Sequence, residues 1–337
     1  MSPPDARAAF DAAEDGAGDW MSAATAFAAT PEGHKELLGS LAIAQLLADT
    51  SQQDRLHAAL LRGELAAAEQ ARSSAREPRT LAAVSNKDLQ AVADDFGVAL
   101  EQVRRDHAVS HILSALSRSE AAAHFTFYGG TALSRTLLPR LRLSEDIDLI
   151  ADTDRTTTAQ TIEHAIETHL ARTHGEVTWE PRLSATRGTE SAVLRLRSGV
   201  LIKVQMMTAH DVAAWPTAPT PLVQRYPDAR PATLTVFTPA SFAAAKTVAW
   251  ADRKAARDLY DLWGLALLGA IDDAAAEAFR RHGTGALPGD WIFSEAPSED
   301  TWTTALAHQG RIRVGPRDAL RVVKDHWNAA SRNERLC

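Results

Sequence analysis

The chain has 337 residues, 45% of them apolar and 23% charged, values that exclude a collagen-like, coiled-coil or wholly disordered protein and predict two domains or one elaborated domain. Its single cysteine, Cys337, excludes an internal disulfide and a cysteine-built zinc site within one chain. Residues 1–70 hold 11 acids against 4 bases and the remainder 32 of each, so the net charge of −7 belongs to the N-terminal segment and does not argue against a nucleic-acid partner.

Residues 1–80 are alanine-rich and acidic and read as an extension of several short helices, punctuated by Pro3-Pro4, Gly16-Ala17-Gly18 and Pro31-Glu32-Gly33. Residues 71–80 read as a linker. Ser85 or Asn86 then caps a short helix that Gly97 ends, and Val109, Ile112, Leu113 and Leu116 share one face of the next helix. Without a strong basic cluster, that helix pair is expected to pack on the next domain rather than read DNA. Strands are expected at 124–128, 146–152, 177–180, 193–197 and 201–207, with a turn at Gly129-Gly130-Thr131, a short helix at 131–138 and a polar helix at 157–173. Proline-rich loops follow across 215–231. A long helix is expected over 241–268, broken near Asp258, and a last helix opens at Pro316. A small sheet bracketed by helices is an α+β or α/β domain. The expected division is an extension over 1–80, a core with lead-in helices over 81–240 and a helical C-terminal region over 241–337. The longest apolar stretch, residues 262–271, is far short of the roughly 20 residues a bilayer helix needs. With no basic region and apolar run near the start, a soluble, cytoplasmic protein is expected.

The chemistry concentrates at Ser144-Glu145-Asp146-Ile147-Asp148-Leu149-Ile150. Alternate side chains of a strand share a face, so Asp146 and Asp148 project together while Ile147 and Leu149 enter a core. Two adjacent carboxylates repel unless a cation lies before them, and a hard divalent ion takes such oxygen ligands together with substrate phosphates. Taken alone, the pair reads rather as two solvated acids at a strand end. Upstream, Gly129-Gly130-Thr131 closes a strand and opens a helix, where the backbone approaches a phosphate closely and Thr131 adds a hydroxyl. Arg135 and Ser144 are expected near the phosphates. An anion site and a cation site within one strand–turn–helix–strand unit suit phosphoryl or nucleotidyl transfer. Downstream, Lys246, Arg253 and Arg257 fall on overlapping helical faces, and Asp258 and Asp261 are neighbours. Lys246 would reach triphosphate oxygens; Asp258 or Asp261 would orient it or accept a proton.

These residues resemble the AbiEii/AbiGii family of nucleotidyltransferase toxins, MenT-like toxins among them. The matching segments are Phe127-Tyr128-Gly129-Gly130-Thr131-Ala132-Leu133-Ser134-Arg135, then Arg142-Leu143-Ser144-Glu145-Asp146-Ile147-Asp148-Leu149, then Lys246 through Arg257-Asp258-Leu259-Tyr260-Asp261-Leu262. The likeness spans roughly residues 85–270. It implies an α+β core like that of the DNA polymerase β-type nucleotidyltransferases, a small mixed sheet with helical additions. It also implies transfer of a nucleoside monophosphate from an NTP, dependent on Mg2+ or Mn2+, with tRNA 3′ ends as acceptors and a block of translation as the result. A cognate antitoxin encoded nearby is the implied partner. In that reading Gly129, Gly130, Thr131, Arg135 and Ser144 bind the nucleotide, Asp146 and Asp148 hold metal, and Lys246 with Asp258 and Asp261 completes the catalytic set. The sequence departs from the pattern at Gln205, where a third carboxylate is expected. Bases that could line an RNA path are Arg182, Arg187, Arg195, Arg197, Lys203, Arg317, Arg321 and Lys324. Other readings are transfer to a small molecule or a protein hydroxyl, and a non-catalytic NTP-binding module.

Overall fold

The computed structural model describes residues 2–74, 81–283 and 285–333. Four helices, α1 (Pro3–Glu14), α2 (Trp20–Ala28), α3 (Pro31–Leu46) and α4 (Thr50–Ser74), make the N-terminal segment. Ser2, Asp19 and Thr30 cap the first three, each side chain accepting from backbone N–H groups that the helix start leaves unpaired. Phe10, Phe27, Leu37, Leu56 and Leu60 give these helices a core of their own. α4 also docks on the rest of the chain: Arg62 Nε donates to the Leu267 carbonyl at 3.1 Å, and Arg313 pairs with buried Glu64 at 3.0 Å. The segment expected as a linker stays helical to Ser74. Residues 75–80 lie outside the described residues, as does Cys337.

Ser85 and Asp88 form a reciprocal capping box at the start of α5 (Asn86–Phe96), and Gly97 ends it at φ 68°, a left-handed conformation glycine adopts without strain. α6 (Leu100–Ser117) is sunk into the core, with Val103, Val109, Ile112, Leu113 and Leu116 fully buried. Such a helix packs; it does not read a groove.

The sheet follows in β1 (Phe125–Tyr128), α7 (Gly129–Ser134), β2 (Ile147–Ala151), α8 (Arg155–Leu170), β3 (Val177–Trp179), β4 (Ser191–Leu196) and β5 (Leu201–Thr208). The first short helix starts at Gly129 itself and stops at Ser134, shorter than expected. Two further strands, β6 (Thr217–Pro221) and β7 (Thr233–Phe237), complete it. β6 lies in a stretch expected to be loop. Pro219 and Pro221 are tolerated there because β6 is an edge strand, where a missing N–H breaks no ladder. The strand order is β3-β4-β5-β2-β1-β7-β6. β2–β5 and β1–β7 are parallel and the other pairs antiparallel, a mixed sheet of the α+β class.

β2 lies at the sheet's centre. Ile147 and Leu149 are fully buried on one face. On the other face Asp148 stands in register with Tyr128 of β1 and Gln205 of β5, a row of three polar side chains across three strands. The remaining helices are α9 (Pro239–Arg253), α10 (Ala256–Leu268), α11 (Asp273–His282), α12 (Glu299–Leu306) and α13 (Pro316–Asn333). The long helix expected over 241–268 is broken earlier than Asp258: Lys254 takes φ 50° and closes α9. In one straight helix, residues twelve apart would stand about 18 Å from each other. The break instead folds α10 back on α9 and brings Lys246 Nζ to 2.9 Å from Asp258 Oδ1.

Candidate active site

A cleft of about 690 Å3 opens over the centre of the sheet, lined on its polar side by Gly129, Gly130, Asp148, Gln205, Lys246 and Arg253. No residue of α1–α4 lines it. Trp215, Phe237 and Phe242 form its apolar wall.

Gly129 is required by its surroundings. It holds φ 78°, and a Cβ there would sit 2.1 Å from Asp148 Oδ2. The turn therefore lies directly against the carboxylate, closer than any side chain permits. A Cβ on Gly130 would meet Arg142 Nη2 at 2.8 Å and Ser144 Oγ at 3.0 Å, so Arg142 and Ser144 sit just behind the turn. Asp146 precedes β2 and acts on Asp148 electrostatically. Burial and then the neighbouring Asp146 charge push the Asp148 carboxyl up to about 6, although Lys246, Arg253 and Arg257 pull the other way.

Lys246 is different. Its ammonium lies 2.9 Å from Asp258 and 2.8 Å from Asp261. Arg142 grips Asp261 through two bonds of 2.7 Å and reaches Gln309 at 2.8 Å. Arg253 holds Asp258 through bonds of 2.7 and 3.0 Å. Burial alone would neutralise these groups. The opposite charges outweigh it, holding Asp258 at about 2, Asp261 below and Lys246 above their ordinary values.

The expected residues thus divide. Gly129, Gly130, Asp148 and Lys246 meet in one cleft, with Asp146 beside them. Asp258 also lines the cleft, but it and Asp261 are locked in ion pairs, so each orients Lys246 and neither stands ready to take a proton. Thr131 is fully buried and its hydroxyl donates to the Asp146 backbone carbonyl, bracing α7 against β2 rather than facing a phosphate. Arg135 is the plainest correction. Placed at the end of α7, it turns back into the core, is fully buried, and binds Asp106 and Ser110 at 2.8 Å each. It supports the turn from behind and does not reach the cleft. Ser144 is buried behind Gly130. The cleft also contains two groups the motifs did not assign. Arg253 is visible in sequence only as one more helical base, and Trp215 lies in the proline-rich stretch.

Several bases considered for an RNA path are paired. Arg182 binds Glu163 and Glu167 at 3.0 and 2.8 Å, Arg321 binds Asp54 at 2.9 Å, and Lys324 meets Asp290 at 3.1 Å. Arg187, Arg195, Arg197 and Lys203 are exposed.

Asp148, with Asp146 beside it, thus stands against a tight glycine turn, and the fixed cation of Lys246 lines the same cleft. A family model described as "Nucleotidyl transferase AbiEii toxin, Type IV TA system" matches residues 111–330. The chain belongs to that family and is a nucleotidyltransferase toxin of the type IV toxin–antitoxin class. Among solved structures it is similar to MenT4, a nucleotidyltransferase toxin from Mycobacterium tuberculosis H37Rv, at 22% identity and a TM-score of 0.54 over 72% of this chain and 89% of that one. That likeness is one of fold. No curated protein sequence matches the chain. Among the described residues no helix is long and apolar enough to cross a membrane.

Proposed function

We propose that this toxin transfers a nucleoside monophosphate from an NTP to an RNA 3′ end, foremost the acceptor end of tRNA, and so blocks translation. Pyrophosphate leaves as the 3′ oxygen joins the α-phosphorus. The observation that carries this reading is Asp148, with Asp146 beside it, set against Gly129 and Gly130 in a cleft that Lys246 also lines.

The donor set fits a hard divalent cation, Mg2+ or Mn2+. Asp148 on β2, pushed up to about 6 by burial and by Asp146 just before the strand, would gain from an ion shared with Asp146. When bound, that ion neutralises triphosphate charge and stabilises the charge that develops during transfer. The chain's own residues do the rest. Gly129 and Gly130 let the triphosphate approach the backbone. Lys246, positioned by Asp258 and Asp261, supplies a fixed positive charge for phosphate oxygens. Trp215 and Phe237 give a surface for the base. The exposed bases of β4 and β5 and the turn before them, Arg187, Arg195, Arg197 and Lys203, are candidates for the RNA backbone. Binding through phosphates predicts a steep salt dependence. A cognate antitoxin, encoded nearby, is the protein partner.

Gln205, in register with Asp148, favours a second reading in which the cleft binds an NTP without transferring it. Label transfer separates the two. The protein is incubated with Mg2+, total RNA and each α-labelled NTP in turn, beside an Asp146→Ala/Asp148→Ala control. Label in a tRNA-sized band, dependent on the NTP and absent from the control, is the expected result. NTP binding with no label in RNA would reject the proposal, and would leave a small-molecule or protein hydroxyl as acceptor or a non-catalytic module.

A further inference from the structure

Four side chains that the transfer reaction does not use converge outside the cleft. His107 and His111 stand four apart on α6 and share one of its faces. His174 follows α8, and Asp228 lies between β6 and β7. His107 Nε2 is 2.9 Å from Asp228 Oδ2, and His111 Nε2 is 3.3 Å from the same oxygen. The two Nε2 atoms are 3.1 Å apart. A ring nitrogen of each of the three histidines lies within 4.8 Å of the others.

Hydrogen bonding alone leaves this group unbalanced. A neutral imidazole has one N–H and one lone pair, and an ionised carboxylate only accepts. If His107 Nε2 donates to Asp228, His111 Nε2 can share that hydrogen or donate in turn, and nothing remains for His174. His174 Nε2 is buried and has no hydrogen-bond partner, while its ring stands edge-on to His111 at 4.9 Å. An orphaned nitrogen beside two more and a carboxylate is explained by one species that accepts lone pairs from all four.

The spacing selects the species. Zinc–nitrogen and zinc–oxygen bonds of about 2.0–2.1 Å at tetrahedral angles put ligand atoms about 3.3 Å apart. The separations among His107, His111 and Asp228, from 2.9 to 3.3 Å, are near that edge. Bringing His174 to that spacing from the other two histidines takes an inward shift of about 1.5 Å. Imidazole suits zinc and its transition-metal neighbours, whereas Mg2+ prefers oxygen. We infer that His107, His111, His174 and Asp228 form a closed zinc-class site, separate from the acidic pair. Four protein ligands leave no open position, so the ion clamps α6, the segment after α8 and the loop between β6 and β7. The clamp adjoins the support of the glycine turn: Tyr226 packs edge-on to His107 at 4.8 Å, and its hydroxyl donates to Asp106, the carboxylate that also holds Arg135.

The test uses tag-free, full-length protein stripped with a chelator and titrated with zinc sulfate against a chromophoric competitor. One zinc per chain is expected, with affinity falling about 100-fold or more in His111→Ala and His174→Gln. Asp146→Asn/Asp148→Asn should keep the full affinity, and zinc should raise the melting temperature of the wild type but not of His174→Gln. Cobalt in place of zinc should give the intense visible absorption of a tetrahedral ion. If His111→Ala does not fold, His174→Gln and Asp228→Asn carry the comparison. Wild-type protein that takes no zinc from the competitor, or equal uptake in the histidine variants, would overturn the site. So would loss of uptake in the Asp146/Asp148 variant.

Discussion

Asp148 and Asp261 both feel the charge of Lys246, yet they are opposite kinds of buried carboxylate. Asp261 is gripped by Arg142 and Lys246, which overcome burial and keep its proton off at lower pH than an ordinary aspartate. Asp148 has no such grip, and burial with Asp146 beside it pushes it up to about 6. One region has settled its charge internally and is scaffold. The other keeps an imbalance that a ligand would relieve, which is why the proposed site is placed there. Residue type does not separate them; the accounting of opposite charge does.

The widest separation should appear in activity. Asp146→Ala/Asp148→Ala is expected to lose label transfer by about 10³-fold or more while circular dichroism stays native, because the ion proposed to bind there would supply several kcal/mol in the transition state. Wild-type rates in that variant would erase the distinction. In stability the order reverses. Asp261→Ala leaves Arg142 and Lys246 buried without their shared partner and is expected to cost about 3–5 kcal/mol in urea denaturation. An unchanged midpoint would mean that the network is not the scaffold described.

Gly129→Ala probes the contact between turn and carboxylate. Strain at φ 78° and the overlap with Asp148 should cost about 1–3 kcal/mol, with transfer reduced even where the fold survives. The smallest effect is the most diagnostic. A carboxyl whose folded pKa is raised from 3.8 to about 6 favours folding only below its unfolded value, and that contribution is lost as pH rises through 6. Asp148→Asn should therefore be more stable than wild type by about 1–2 kcal/mol at pH 8, with the difference gone near pH 4. Added Mg2+ should narrow the gap at pH 8 by stabilising only the wild type. Thermal melts across that range decide it.

Much of this was readable in the residues. Strand alternation alone puts Asp148 opposite Ile147 and Leu149, although the strand begins one residue later than expected and leaves Asp146 just before it, and the helix caps at Ser85 and Gly97 follow from local chemistry. What could not be read depends on distant partners. Arg135 looks like any solvated helical arginine until Asp106, 29 residues earlier, is brought beneath it. Lys254 in a left-handed turn breaks a run with no glycine or proline to announce it, and only that break joins Lys246 to Asp258 and Asp261. β6 was hidden by prolines that sheet interiors reject and edges accept, and β7 was missed beside it although Thr233-Leu234-Thr235-Val236 alternates.

Those edge prolines bear on how the molecule behaves in a crowd. An exposed outer strand is a template on which another chain can add its own strand, and from there polymerise. Along β6, Pro219 and Pro221 have no hydrogen to offer, and three alternate positions of the five-residue strand are exposed. An incoming strand would find acceptors without the matching donors and could not complete a ladder. The sheet is thereby terminated on that side by covalent structure, which protects the chain there from capture by copies of itself.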